Sequence, residues 1–504
     1  SMMMHPGLIS HKTPTMRLLT STPAVRSTFA RQRILTQVTA RSRLPFTATR
    51  QFAMKRKAVY AWYEREPKNA KNAKNAKNAK KAQSPVTTDK LPEYHETPSK
   101  RDKDGEIIWP ATKDQMEAAR NFIRECVAAS KPTLIIPDKD VDGLTSGAIL
   151  RKTLILMGLD PELISAYVMK KGLNVHDEES RRDMASYKPS FIFVLDQGSR
   201  ESPPVIDEPH RALVIDHHYA EEKDHPKDAT FVTACNSPPV ATSSLLTYLI
   251  CRDLHPDVEE TCNWLCAMGV HGDLGNAIKW EPPFPDFKAM FKKYTKKGIN
   301  SAVSFINAPR RTAAYDVPGA WEALAEASAP IDIMKNESLG AARKEVNEEV
   351  RKHARVPPRL SLDGRIAVIR IKSEYQIHQV IATRWAGHLT SPKLEVILVA
   401  NSGYLPGLVN FSCRVPRCAR GRVPPVNIIE ILRKEALRAK DPTLTKRLGE
   451  SFARGHKEAS GGVVPKAEFE ELMEALFVRD KAPASPRQRQ KQGNNTLLNY
   501  FERG

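Results

Sequence analysis

Residues 214–220, VIDHHYA, set an aspartate and two adjacent histidines at the end of an apolar run that begins at Ala212. An uninterrupted apolar run of this kind reads as a strand buried on both faces. Three polar, metal-capable side chains at its mouth are costly unless something neutralises them.

On either side of this stretch the pattern alternates between helix and strand. QMEAARNFIRECVAA, from Gln115, has apolar residues at helical spacing; TLIIP (133–137) is a short buried strand; LTSGAILRKTLILMG is again helical. ELISAYVM, SFIFVLD and RALVIDHH supply further strands, followed by helices over 240–253 and 257–270. The alternation predicts an α/β fold, a mostly parallel sheet flanked by helices over 111–280. Sites in such sheets form beyond the carboxyl ends of the strands. Residues 281–356 read as a helical connector with a Pro/aromatic loop (WEPPFPDF), basic residues and a long helix ending AARKEVNEEVRKHARV. A second αβ pattern follows, with strands RIAVIRI and LEVILVA, a helix over 374–388, then LVNFSCRV and the helix VNIIEILRKEALR. It predicts a smaller mixed-sheet α/β domain over 357–480; the resemblance described below implies an active site in the cleft between the two domains.

Three predicted strands end in acidic residues: DKDVDG (138–143) follows TLIIP, Asp196 follows SFIFVL, and Asp216 with His217 and His218 follows RALVI. Asp273, in GVHGDLGN, is expected after the 257–270 helix. Carboxylates gathered on one rim repel each other and persist when cations neutralise them. Oxygen donors with imidazoles suit Mn2+ or Mg2+, and shared carboxylates suggest two ions. DKDVDG alone also fits a calcium loop, but the position-12 glutamate of an EF-hand is Ile149 here.

Taken in order, DKDVDG, LDQGS, VIDHH and GVHGDLG resemble the four motifs of the DHH phosphoesterase superfamily, which includes RecJ-type single-strand exonucleases, short-oligonucleotide phosphodiesterases and family II pyrophosphatases. ARGHKEASGG (453–462) resembles the glycine-histidine motif of the family's smaller C-terminal domain, and NFSCRV the strand before it. The resemblance implies a metal-dependent hydrolase with two divalent ions, Mn2+ favoured and Mg2+ the alternative. Asp140, Asp142, Asp196, His217 and Asp273 would ligate them, Asp196 as a bridge, with Asp138 an added ligand or an acceptor behind them. His218 would face the scissile phosphate, Asp216 would orient a histidine, and Asp142 belongs to the catalytic set. Arg414, Arg417, Arg454, Gly455 and His456 would hold substrate. Two departures stand out: Ile136 occupies a position where many members carry a histidine, and Arg454 replaces a glycine ahead of the GH pair.

The net charge of +20 looks like a nucleic-acid signature, but residues 1–83 carry +16 and 481–504 carry +4, so the body between them is neutral. A body that binds nucleic acid must then do so through a local patch. No apolar run approaches the 18 residues of a membrane span. The seven cysteines form no CxxC pair, against a zinc knuckle or redox motif. Ser1 reads as a cloning remnant. The acid-free, Arg-rich stretch to Tyr63 has the composition of a mitochondrial transit peptide, and a start at Met54 would remove it. KNAKNAKNAKNAK (68–80) reads as a solvated linker within a disordered region spanning 1–110. In the tail (481–504), NNTLLNYF resembles the peptide that binds the sliding clamp PCNA, with Leu497, Tyr500 and Phe501 as anchors. Nucleus and mitochondrion are the expected compartments, through two forms.

The expected function is a RecJ-like exonuclease on single-stranded nucleic acid, DNA favoured and RNA the alternative, recruited by the clamp. The competing readings are a phosphodiesterase for short oligonucleotides or small nucleotides, and a catalytically quiet scaffold in a replication assembly. Oligomeric state is not legible.

Overall fold

The computed structural model describes residues 98–276 and 278–477. The transit-like segment, the KNA repeat, Met54 and the clamp-like anchors Leu497, Tyr500 and Phe501 lie outside these residues.

The first sheet is wholly parallel. Helix α1 (Lys113–Ala129) leads into β1 (Thr133–Pro137), and helix α2 (Val141–Leu156) crosses to β2 (Ile164–Ala166). Helix α3 (Glu178–Ala185) returns the chain to β3 (Phe191–Leu195), followed by β4 (Arg211–Asp216) and β5 (Thr230–Thr233). The strand order is β2-β1-β3-β4-β5. Crossovers leave β1 and β3 in opposite directions, which opens a crevice at their carboxyl ends. Alternation sorts the strand side chains between two cores: Ile135, Phe193 and Ile215 enter one, Leu134, Ile136, Val194 and Val214 the other. Ile136, where many members of the resembled family carry a histidine, is therefore committed to the core and fully buried.

Helices α4 (Ser243–Arg252) and α5 (Val258–Leu274) pack with α2 over one face. Three expectations are corrected here. The strand expected over ELISAYVM shrinks to Ile164–Ala166, because Pro161–Leu163 form a helical turn capped by Asp160. Asp273 does not follow its helix but lies in the last turn of α5. The helix expected over 374–388 starts at His378.

The connector comprises α6 (Lys288–Tyr294), α7 (Lys296–Ile306), α8 (Val317–Glu326), α9 (Pro330–Lys335) and α10 (Glu337–His353). The second sheet follows: β6 (Arg359–Leu360), β7 (Ile366–Ile371), helix α11 (His378–His388), β8 (Val396–Asn401) and β9 (Leu408–Arg414). Helices α12 (Ile428–Leu437) and α13 (Leu444–Arg447) precede the hairpin β10 (Arg454–His456) and β11 (Ala459–Pro465), and α14 (Lys466–Phe477) closes the domain. Its order is β10-β11-β9-β8-β7-β6, with only β7 and β8 parallel. The two apolar faces of this mixed sheet are covered by separate cores, one around Phe411 and Phe469, the other around Trp385. No helix among the described residues is long and apolar enough to cross a membrane.

Candidate functional site

The crevice beyond β1, β3 and β4 gathers the predicted acids. Ligand atoms of Asp138, Asp140 and Asp196 lie within 4.8 Å of one another, and so do those of Asp196, His217 and His218. Asp196 belongs to both groups. It sits one residue past β3 in the left-handed region (φ 61°), which aspartate tolerates better than most residues and which recurs at functional sites.

Each acid is oriented by backbone. Asp140 caps α2, accepting from the N–H groups of Asp142 (3.0 Å) and Gly143 (3.3 Å). Asp142, 2% exposed, accepts the N–H groups of Ser243 (2.8 Å) and Ser244 (3.1 Å) at the start of α4. Ser243 also donates its hydroxyl to Asp196 (2.8 Å). The positive end of α4 thus faces two buried carboxylates and offsets part of their repulsion. Asp216 accepts the backbone N–H of His217 (2.8 Å) and bonds the His218 ring at Nδ1 (2.8 Å). The expectation that Asp216 orients a histidine resolves, in this geometry, onto His218.

His217 Nε2 stands 3.3 Å from Asp196, 3.8 Å from Asp273 and 4.0 Å from Asp142. Asp273 reaches it because α5 packs tightly against the start of α2. A Cβ on Gly272 would stand 1.9 Å from the Val141 side chain, so only glycine permits that approach.

The electrostatics are those of a cation site. Burial, with Asp142 and Asp140 adding repulsion, pushes the Asp196 carboxyl well above the usual carboxylate range. Burial raises Asp142 to about 6, the Asp273 charge adding to it and His217 opposing. Burial also acts on Asp140, but the Arg310 guanidinium, the Gly143 N–H and Lys139 outweigh it and hold this carboxyl low. For His218, burial is overcome by Asp216, and the ring rises to about 9. Burial opposes ionisation of Asp216 too, yet the same bond brings that carboxyl down to about 2. Buried carboxylates that resist ionising side by side, with imidazoles among them, are the donor set of divalent cations, and the residues fit such ions.

A cationic wall, in which Arg310 and Arg414 both act on His378, meets this rim through Arg310. Arg310, 8% exposed, donates to Asn307 (3.1 Å) and Gln376 (3.2 Å) and is the strongest charge acting on Asp140. Arg414, at the end of β9, bonds Ser412 Oγ (2.9 Å) and the Cys413 carbonyl (2.8 Å). Neither arginine makes an ion pair among the described residues. His378, at the first turn of α11 and 3% exposed, has no partner on Nδ1; burial and the charges of Arg414, Arg310 and Arg311 push its pKa down to about 3.

Other predicted substrate residues stand apart from this wall. Arg417 and Arg420 are exposed, and Arg422 is tied to Glu395 (3.6 Å) and the Pro392 carbonyl. Gly455 lies within β10 at φ 105°, opposite Ser460, where a Cβ would meet the Ala459 carbonyl at 2.7 Å. Exposed Arg454 donates to the Glu450 carbonyl, and Glu450 pairs with Arg200 (3.5 Å) beside the Asp196 loop. The backbone of His456 pairs with Ala459 in the same hairpin; its side chain lies outside the described set.

Sequence reasoning missed Ser243, Ser244, Arg310, His378 and Tyr219. TSS (242–244) carried a helix-cap signal that was readable. Tyr219 follows His218 directly and is 82% exposed, although Ala220 beside it is buried and accepts from Cys235.

A doubly wound sheet whose switch point holds two ligand groups around one shared aspartate, with Arg310 beside them, defines an α/β protein with a donor set suited to divalent cations. Residues 132–270 match the model of the DHH family, N-terminal domain. These residues therefore carry a DHH-family N-terminal domain, in keeping with the resemblance to the DHH phosphoesterase superfamily. In structure it is similar to the DHH domain of a member of the s1p family of ribosomal proteins, at 17% identity over 72% of this chain and 90% of that one, with a TM-score of 0.52. It also matches RecJ of Thermus thermophilus in complex with Mn2+, at 17% identity over 72% of this chain and a TM-score of 0.49. The chain spans about half the length of that RecJ, 54%. No curated protein matches it in sequence.

Proposed function

We propose that the protein is a divalent-metal-dependent phosphodiesterase that hydrolyses single-stranded nucleic acid from an end. The observation that carries the reading is Asp196, shared by two ligand groups, with buried Arg310 acting on the neighbouring Asp140.

Asp138, Asp140 and Asp196 would hold one ion, and Asp196, His217 and Asp273 the other, with Asp142 fixing their surroundings from the start of α4. Bound there, such a pair supplies Lewis-acid activation of water and charge relief at phosphorus. The chain's own groups do the rest. His218, held through Nδ1 by Asp216, whose carboxylate favours the imidazolium, presents its other N–H to a phosphoryl oxygen, where charge builds as the ester bond breaks. Arg414 and Arg310 offer guanidinium forks that match a terminal phosphate. Tyr219 gives an aromatic face for a base one residue from His218. A wall of side chains brought from the connector and the second sheet leaves space for a strand end better than for a continuous duplex.

End-labelled DNA and RNA strands incubated with Mn2+ test this. The protein should shorten single strands from one end, and the D216A/H217A variant should leave them intact. Intact strands with the unaltered protein would discard the reading in favour of a scaffold. Cleavage confined to dinucleotides would replace it by a short-oligonucleotide phosphodiesterase.

A further inference from the structure

With the two tails set aside the charges cancel, so a strand longer than the site needs a concentrated patch of positive charge. Residues 287–315 contain seven Lys/Arg and no Asp or Glu. The stretch has an exposed half and a buried half. Lys292, Lys293, Lys296 and Lys297 are exposed around the α6–α7 junction, and none makes an ion pair among the described residues; Lys288, by contrast, is neutralised by Asp286 at 3.0 Å. Arg310, in the other half, is buried at the site.

This segment is fastened to the site at both ends. Phe291 of α6 stacks on His271 (centroids 5.5 Å apart, planes 15°), two residues before Asp273. His271 is itself pinned by Asn300 of α7 (2.8 Å) and by the Trp280 indole N–H (3.2 Å). Just past α7, Asn307 accepts the Val141 N–H (3.2 Å) from the carboxylate loop and the Arg310 Nε–H (3.1 Å). Lys296 lies over the Phe291 ring at 5.5 Å. The lysines are therefore mounted on a scaffold anchored to the elements that carry Asp140 and Asp273. Exposed helix faces are ordinarily laced with acids that pair the lysines; four like charges within six residues, with none, repel unless an anion covers them.

We propose that Lys292, Lys293, Lys296 and Lys297 form a track for the sugar-phosphate backbone of a single strand whose end occupies the metal site. The track rests on the phosphodiesterase reading and adds to it the surface that would hold the strand beyond the residues at the metal site. Successive phosphates supply the repeating negative charge that a lysine ridge complements.

The test compares the full chain with K292Q/K293Q/K296Q/K297Q and with the corresponding fourfold Lys→Arg variant. Both carry the same basic tails, so any difference belongs to the ridge. Metal-free binding of a labelled strand of about 20 residues is followed by anisotropy as KCl rises from about 50 to 300 mM. Each single-strand phosphate contact contributes about 0.7 to the salt slope, so the glutamine variant should be shallower by about 3 and bind about 100-fold more weakly at low salt. The arginine variant should bind as the parent does, and Mn2+-dependent hydrolysis of a dinucleotide should be equal in all three. An unchanged slope, or dinucleotide hydrolysis that falls in parallel, overturns the track. So does loss of binding to phosphatidylserine vesicles with strand binding intact, which would make the ridge a membrane surface. A ridge-dependent slope without hydrolysis of any substrate would instead sink the phosphodiesterase reading and leave the track standing.

Discussion

The acidic rim and the cationic wall that meets it are built in different ways. Every acid of the rim stands at or next to the end of a regular element in one domain: Asp138 and Asp140 after β1, Asp196 after β3, Asp216 at the end of β4, Asp273 in the last turn of α5. The wall collects Arg310 from the connector, His378 from α11 and Arg414 from β9, more than a hundred residues from first to last. Short-range pattern locates the first kind of site. The second exists only once a tertiary fold has brought distant segments together.

The predictions probe that division. The largest effect belongs to the rim: D196N removes the carboxylate common to both ligand groups and should lower Mn2+-dependent hydrolysis by about 10³-fold or more, the several kcal/mol that metal-assisted charge stabilisation supplies. Steady-state rates on a labelled strand read it. On the wall, R414A should cost about 30- to 100-fold in kcat/KM on strands bearing a terminal phosphate and far less on strands without one, since a charged hydrogen bond contributes about 1.5–3 kcal/mol. R414K should restore only part, because lysine lacks the fork. Equal losses on both substrates would detach Arg414 from the terminal phosphate.

Y219A should weaken base-bearing strands about tenfold and leave abasic strands unaffected, with Y219F near the parent; stacking on one base contributes about 1–3 kcal/mol. The smallest effect concerns stability. His378 stays neutral in the folded protein down to about pH 3, whereas an unfolded chain protonates it near its ordinary value. The unfolded state therefore binds more protons below about pH 6.5, and folded stability declines as pH falls through that window by about 1.4 kcal/mol per unit. Urea unfolding at pH 7 and 5 should show the parent losing about 2 kcal/mol more than H378Q. Parallel losses would mean that His378 is protonated in the fold.

Much of the fold was legible because buried strands and amphipathic helices leave periodic traces. Four of the five parallel strands, β1 to β4, follow from apolar runs, three of them with acids at their tips, whereas the short β5 (Thr230–Thr233) left no such run and was missed. The length of β2 was not legible, since Pro161 and its Asp160 cap convert half of an apparently continuous run into a helical turn. Asp273 was misplaced by one turn because a helix carrying GVHGDL can continue through Gly272 when that glycine is required for packing. Arg417 and Arg414 look equivalent in SCRVPRCARGR, yet Arg414 ends a buried strand and Arg417 starts an exposed turn. Arg310 and the lysine ridge announced themselves only as basic residues in a connector, because what matters about them is the element they dock against.

The proposed catalysis depends on Asp196 joining two cation sites. Anomalous scattering at the manganese edge from crystals soaked in Mn2+ bears on that junction without an intermediary. Two peaks should flank the Asp196 carboxylate, one beside Asp138 and Asp140 and the other beside His217, both lost in D196N. A single peak away from Asp196, or no peak at saturating Mn2+, would contradict the shared-carboxylate site.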